Sequence, residues 1–238
     1  MKLSTRSCRI ALPLVAAALV AGVNVASAAT FTYSSYSVTN EQDITILTPN
    51  SISGGAGQIT LIGSGANPGV ITNDGADILA WCLNIYTYLA SSGTYTVGTL
   101  TTAGTGGSNP TLTTTQIGEI GALMLNGDAI INSSTNVSAA IQLAIWEVEY
   151  GSTFTYSGLS SAVTNLANTY KSDVTGGSPI WAPDYNVSLL SESDNQNLGF
   201  VTPTPLPSTW TMMLIGAAGL GFFAYRGTKN RAAAIAAA

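Results

Sequence analysis

The pattern of apolar and polar positions between residues 30 and 100 is that of a β-sheet. Apolar residues alternate with Thr, Ser and Gln in short runs, and clusters of Gly, Asn and Ser separate these runs. Such alternation is typical of strands that bury one face and are joined by turns. It predicts strands at 31–33, 43–47, 58–62, 78–88 and 94–100. The Gly- and Thr-rich segment 101–109 predicts a flexible loop.

After Pro110 the apolar spacing becomes helical. In segment 114–125 the apolar residues recur at the intervals of one helix face, as Ile117, Ile120, Leu123 and Met124. This spacing predicts a helix that ends at Asn126-Gly127, because glycine commonly follows a helix end.

Two further helices and a return to strands complete the pattern. Segment 138–150 predicts a second helix with Ser138 as its N-cap, and 159–170 predicts a third. Strand texture returns at 184–190 and 197–201. The fold class expected is therefore α+β, a β-rich ectodomain with an inserted two- to three-helix segment.

The start of the chain has the pattern of a secretory signal peptide. Basic residues precede an apolar run, and Ala26-Ser27-Ala28 forms a small-x-small cleavage site. These features predict a signal peptide over 1–28, with an uncleaved anchor as the alternative. The ectodomain then covers 29–200, and Cys8 is removed with the signal peptide.

A second hydrophobic stretch lies near the other end. A Pro-rich linker at 201–208 precedes an apolar helix at 209–231 that closes with basic residues, and an Ala-rich tail follows at 232–238. The apolar part, 209–226, is long enough to predict a single membrane span. The basic residues after it predict a cytoplasmic C-terminus and an ectodomain outside.

This order of proline motif, short apolar helix and basic end resembles the PEP-CTERM sorting signal. Pro205, Leu206 and Pro207 stand where that family has Pro-Glu-Pro, and Arg226 begins the basic end. The resemblance implies a Gram-negative cell envelope, surface or matrix protein, held first in the inner membrane by the helix. It also implies an exosortase-type sorting enzyme as a partner. A plain single-pass anchor is the alternative.

The charge distribution excludes several functional classes. Between 29 and 200 lie twelve acidic residues and one basic residue, Lys171, and the chain has no histidine. An acidic body repels phosphate backbones, which excludes nucleic acid as a partner. Histidine-based catalytic triads and histidine-ligated metals are excluded as well.

The remaining candidate chemistry is sparse. The run 73–77 is rich in Asn and Asp but reads as a solvated turn and not as a calcium loop. Glu147 and Glu149 are two positions apart on a helix, so their side chains point to different sides and form no acid–base pair. The sequence therefore predicts a protein that is not an enzyme and that has no catalytic residue, cofactor or metal.

Two residues stand out because their surroundings do not suit them. Cys82 is the one cysteine of the ectodomain and lies in an apolar strand, and Gln142 is the one polar residue in the apolar run 139–146. A buried carboxamide needs hydrogen-bond partners. The two residues are either an inert core thiol and a hydrogen-bonded glutamine, or partners in a Cys–Gln thioester, which has no N–H donor.

The residues around the pair resemble the bacterial thioester domain of the TQxA type. The resemblance is carried by 81–84 (Trp-Cys-Leu-Asn), by the helix before Gly127, and by 141–146 (Ile-Gln-Leu-Ala-Ile-Trp), and it covers about 79–170. It implies a thioester bond between Cys82 and Gln142, as in surface adhesins. Ile141 replaces the family's Thr, Asn84 its Asp, and Asp128 follows the Gly turn.

The expected function follows from these resemblances. It is an adhesin-like module on the cell surface or in the extracellular matrix, attached covalently to amine-bearing partners. The alternative is a non-covalent structural protein of the exopolysaccharide or biofilm matrix, with polysaccharide as its partner and an inert core Cys82. A glycan hydrolase is a weaker third hypothesis because no pair of convergent carboxylates is evident.

Overall fold

The computed structural model describes residues 29–65, 72 and 76–202. The predicted signal peptide and the predicted sorting helix lie outside these residues. So do the sorting-motif residues Pro205, Leu206, Pro207 and Arg226, and most of the predicted turn at 73–77. Within the described part of the chain, no helix is both long enough and apolar enough to cross a bilayer.

Seven strands and three helices form the described fold, which is α+β and β-rich as the sequence predicts. The strands are β1 Thr30–Thr48, β2 Ile52–Gly63, β3 Ile78–Cys82, β4 Gly93–Thr99, β5 Thr155–Ser157, β6 Val187–Ser191 and β7 Leu198–Val201. The helices are α1 Thr114–Ile130, α2 Val137–Tyr150 and α3 Ser161–Val174. The helical segment is thus inserted between β4 and β6, with β5 inside it.

All strand pairs in the sheet are antiparallel, and their order is β2-β3-β7-β6-β4-β1-β5. Because β1 also pairs with β2, six of the strands form a closed ladder and β5 attaches to β1. Closure pairs the backbone groups that an open sheet leaves at its edges.

Strand β1 joins two of the predicted strands, 31–33 and 43–47, into one. Its N-terminal part pairs with β4, and the register with β2 runs from Tyr33 opposite Gly63 to Ile46 opposite Ile52. The register shifts between Thr39 and Gln42, where Asn40 has a φ of 47°. Asparagine tolerates this left-handed conformation better than most residues, so the polar break in the pattern is a bulge and not a turn.

The predicted strand 78–88 is too long, since β3 ends at Cys82. The side-chain Oδ1 of Asn84 accepts a hydrogen bond from the backbone N–H of Tyr86 at 2.8 Å, which closes a local turn. Asparagine competes for backbone groups in this way and stops the strand. Strand β5 is a missed element, because three residues are too few to show a period.

The predicted end of the first helix at Asn126-Gly127 is wrong, because α1 continues to Ile130. Gly127 lies inside the helix, where a Cβ would meet Ile141 Cγ2 at 2.9 Å and Trp81 Cζ2 at 3.1 Å. The glycine is needed for close packing of α1 against α2 and β3, and not for a helix end.

The sequence predicts Ser138 as the N-cap of the second helix, and this prediction is wrong. The N-cap is Asn136, and Ser138 is completely buried inside α2. Its hydroxyl accepts a hydrogen bond from the backbone N–H of Gln58 in β2 at 2.8 Å. The serine therefore joins the central helix to the sheet. Every residue of α2 except Glu147 is buried, so this helix forms the centre of the core.

Asp128 connects α1 to two strands. Its Oδ1 accepts hydrogen bonds from Trp81 Nε1 in β3 at 3.1 Å and from Gln58 Nε2 in β2. Burial raises the pKa of this carboxyl from 3.8 to about 7, although the two donors act in the opposite direction. The carboxyl of Asp128 therefore binds its proton more tightly in the folded protein than in the unfolded chain.

We expect Asp128→Asn to reduce the pH dependence of stability. A raised pKa contributes stability that is complete below about pH 3.8 and is lost as the pH rises to about 7. Asparagine keeps the acceptor oxygen but does not ionise. The free energy of unfolding of the Asp128→Asn variant, measured by urea unfolding, should therefore fall less between about pH 5 and about pH 8 than that of the parent protein.

The matched control is Asp43→Asn, since Asp43 is an exposed acidic residue of β1. This variant should keep the pH dependence of the parent. Equal slopes in the Asp128→Asn and Asp43→Asn variants would contradict the assignment.

Candidate functional site

Cys82 is the last residue of β3 and lies in the core, with 3% of its surface exposed. On one side it stands opposite Leu198 of β7. On the other side the β2 ladder reaches only to Ala80, which is opposite Ile59. The N–H and C=O of one residue in an antiparallel strand point to the same edge. Cys82 therefore extends past the strand that would otherwise pair with it there.

Gln142 of α2 occupies the place of the missing strand. Its Oε1 accepts a hydrogen bond from the backbone N–H of Cys82 at 2.9 Å, and its Nε2 donates to the backbone C=O of Cys82 at 2.9 Å. The side chain is fully buried. A single carboxamide thus satisfies both main-chain groups at the end of β3. The structure brings the two residues singled out in the sequence into direct contact.

This contact also gives the buried carboxamide the partners it needs. An unpaired amide is costly to bury, and this cost is one reason to expect a thioester. Because the Gln142 carboxamide is hydrogen-bonded, the cost does not arise here. The arrangement is therefore compatible with a purely structural glutamine as well as with a reactive one.

The thiol of Cys82 has its own partner. Its Sγ donates to the backbone C=O of Asn84 at 3.2 Å, and the same oxygen accepts a hydrogen bond from Gln196 Nε2 at 3.1 Å. Burial raises the pKa of the thiol, and the negative charge of Glu149 raises it further. The group is consequently held as neutral S–H, and any reaction at sulfur must remove that proton.

Glu149 is an unusual member of this neighbourhood that the sequence alone did not reveal. It lies seven residues after Gln142 on α2 and is 2% exposed, and neither carboxyl oxygen has a hydrogen-bond partner among the described residues. Burial raises its pKa well above the usual range. The i, i+7 spacing from Gln142 is the signal that could have placed it on the same helix face.

Glu147 has a different environment from Glu149. It points away from the core and forms an ion pair with Lys171 of α3. The two acids therefore lie on different sides of α2, as their spacing predicts.

A cavity of about 140 Å³ is lined by Cys82 together with residues that are exposed at the protein surface. Its walls are mainly apolar side chains, among them Ile44, Ile46, Ile52, Ile59 and Ile85. Trp146 and Gln196 line it as well. Exposed residues at its rim are Tyr36, Tyr88 and Glu41. A small molecule or an extended side chain of a partner could therefore approach the buried site from outside.

In the described part of the chain, no three Cys, Asp or Glu residues are grouped closely enough to hold a metal ion.

Comparisons with known proteins find no family model, no curated protein and no solved structure that matches this chain. The resemblance to the thioester domain therefore rests on the motifs around Cys82 and Gln142.

Removing the carboxamide should cost much more stability than removing the thiol, because Gln142 binds the main chain of Cys82 and not its sulfur. In a Cys82→Ala background, where no thioester can form, we expect Gln142→Leu to lower the free energy of unfolding by about 2–4 kcal/mol. Urea unfolding measures this difference. Cys82→Ala alone should retain both hydrogen bonds and lose about 1 kcal/mol. Equal stability of the single and double variants would show that the pairing contributes little.

Proposed function

We propose that this protein is an exported cell-surface or extracellular-matrix module of adhesin type. In this proposal Cys82 and Gln142 form an internal thioester that captures amine-bearing partners covalently. The observation that carries the proposal is the direct contact of the Gln142 carboxamide with the main chain of Cys82, a residue that also lines a cavity with exposed residues at its rim.

The bond-forming step balances without any additional reagent. The sulfur of Cys82 bonds to the side-chain carbonyl carbon of Gln142, the C–N bond of the carboxamide breaks, and ammonia departs with the thiol proton. The backbone N–H of Cys82 already donates to Oε1, where negative charge develops in the tetrahedral intermediate. The cost is the loss of two buried hydrogen bonds, from Nε2 to the C=O of Cys82 and from the thiol to the C=O of Asn84.

Capture of a partner reverses the roles of sulfur and nitrogen. An amine nitrogen attacks the thioester carbonyl, the S–C bond breaks, and the thiol takes up the proton released by the amine. The partner is then joined to Gln142 through an amide. Because the thioester is consumed once, the protein acts as a covalent binding module and not as an enzyme.

The rim of the cavity suits a partner that carries an alkyl ammonium group. Glu41 supplies a negative charge there, and Tyr36 and Tyr88 supply aromatic faces that attract cations. The apolar walls behind them suit a methylene chain such as that of a lysine side chain. Lys171, the one lysine of the ectodomain, is paired with Glu147, so few amines of the protein itself compete.

The ends of the sequence support export and anchoring. The signal-peptide pattern over 1–28 and the resemblance of the Pro-Leu-Pro motif and basic-ended helix to a sorting signal both favour a Gram-negative envelope or matrix location, with an exosortase-type enzyme as processing partner.

A second candidate function is favoured by the completeness of the hydrogen bonding at Gln142. With both polar groups of the carboxamide paired and the thiol neutral, the site also suits an inert core of a non-covalent structural protein of the polysaccharide matrix.

Intact mass distinguishes these two functions. If the thioester forms, protein that is purified after export from its own cells should be lighter than its sequence mass by one ammonia molecule. Methylamine should then add to it. Cys82→Ala and Gln142→Ala should each abolish the deficit and the addition. Gln116→Ala, which removes the capping of α1 and a hydrogen bond to the C=O of Val148 but no hydrogen bond of Cys82 or Gln142, should retain both. A full sequence mass in the parent, with no methylamine addition, would rule out the thioester.

Glu41→Gln tests the role of the cavity rim. Loss of the carboxylate should slow the reaction with a cationic diamine by about two- to tenfold at low salt, because its attraction for cations is removed. The rate with hydroxylamine, which is neutral near pH 7, should change little. Mass spectrometry over time measures both rates.

Asp194→Asn is the control for this variant, since Asp194 is an exposed acid that does not line the cavity. Equal slowing in both variants would mean that overall charge, and not the rim, governs the reaction.

A further inference from the structure

A second and larger cavity lies beside the segment that follows β3, and Thr87 of that segment lines both cavities. It has a volume of about 580 Å³ and is bordered by Asn84, Tyr86 and Thr87, by the loop 105–109 and by the connection between β6 and β7. We call it the polar groove and define it by Asn84, Tyr86, Thr105, Asn109, Glu192 and Asn197.

Almost all side chains that line the polar groove carry an amide or a hydroxyl group. Besides its three asparagines it is lined by Thr87, Thr96, Ser108, Ser191 and Ser193. Of the described residues that line it, none is Lys or Arg, one is acidic (Glu192) and one is aromatic (Tyr86). Such a surface offers many donors and acceptors but no positive charge for a phosphate, sulfate or carboxylate ligand, and little apolar area for a lipid.

Two of the amides are buried and held in place by the protein. Asn84 and Asn197 are 6% and 8% exposed. The Oδ1 of Asn197 accepts from the backbone N–H of Glu192 at 3.3 Å, and its Nδ2 donates to the C=O of Thr105 at 3.0 Å. Asn84 is held by its bond to the N–H of Tyr86. Polar groups that are fixed before a ligand arrives lose little entropy on binding.

The groove also retains unused hydrogen-bonding capacity. The hydroxyl Oγ1 of Thr105 is buried and has no hydrogen-bond partner among the described residues. The Nδ2 of Asn197 has one N–H beyond the bond to Thr105, since an amide carries two. An unpaired buried hydroxyl costs free energy, and a ligand that supplies its partner recovers part of that cost.

We propose that the polar groove binds an uncharged oligosaccharide. Sugar hydroxyls both donate and accept, which matches a lining of amides and hydroxyls, and the half-buried ring of Tyr86 offers a face for the C–H side of a pyranose. The single carboxylate of Glu192 accepts hydrogen bonds from hydroxyls and repels acidic glycans. This proposal does not rest on the thioester, because the groove binds through side chains that take no part in it.

The test is binding of a panel of neutral hexasaccharides to the full chain, purified in a detergent without a sugar headgroup. The probes are cello-, malto- and laminari-hexaose and a galactan hexamer, with hexagalacturonate as the acidic comparison. Isothermal calorimetry should detect at least one neutral probe with a Kd of about millimolar or tighter, and no binding of hexagalacturonate. Absence of binding by every neutral probe, or preference for the acidic one, overturns the proposal.

Variants locate the binding. Tyr86→Ala and Thr105→Val should each weaken binding by about fivefold or more. Tyr88→Ala is the matched control, because Tyr88 is an exposed tyrosine of the neighbouring segment that lines the other cavity. Binding should survive in that variant and in Cys82→Ala. Loss of binding in Tyr88→Ala with retention in Tyr86→Ala would place the saccharide elsewhere and contradict the proposal.

Discussion

The pairing of the Gln142 carboxamide with the main chain of Cys82 is the interaction around which the rest of the core is arranged. Strand β3 extends past the end of the β2 ladder, so its last residue needs hydrogen-bond partners inside the buried core. A carboxamide carries one acceptor and one donor side by side, as a neighbouring strand does. It can take the strand's place only if α2 lies directly against the sheet. Helix α2 does so, with every residue except Glu147 buried.

The same pairing explains why structural and reactive roles are both compatible with this site. The N–H of Cys82 stabilises the carbonyl oxygen of Gln142 in the amide and would stabilise it equally in a thioester. The bond from Nε2, by contrast, exists only in the amide. Thioester formation therefore replaces the C–N bond of the carboxamide by an S–C bond and loses two buried hydrogen bonds, those donated by Nε2 and by the thiol. The neutral state of the thiol, caused by its burial, makes removal of its proton the demanding part of that exchange.

Asn84 separates two environments of different chemistry. Its backbone oxygen accepts a hydrogen bond from the thiol of Cys82, and Cys82 lines the apolar cavity. Asn84 itself lines the polar groove. The turn that this asparagine forms with Tyr86 ends β3 and sets the direction of the segment 84–87. The two cavities are neighbours, since Thr87 of this segment lines both, although one is mainly apolar and the other polar.

The sequence by itself determined the class of each region, because strand alternation, helical spacing and the oddity of Cys82 and Gln142 are local properties. Only the tertiary structure decided the length of β1, the continuation of α1 through Gly127 and the internal role of Ser138. In each case the deciding contact comes from a distant part of the chain: β2 for β1 and Ser138, and α2 and β3 for Gly127. The contact between Cys82 and Gln142 is of the same kind. Spacing along the chain could suggest the pair, but only packing of α2 against the open end of β3 brings its atoms together, since hydrogen bonds depend on position in space and not on distance in sequence.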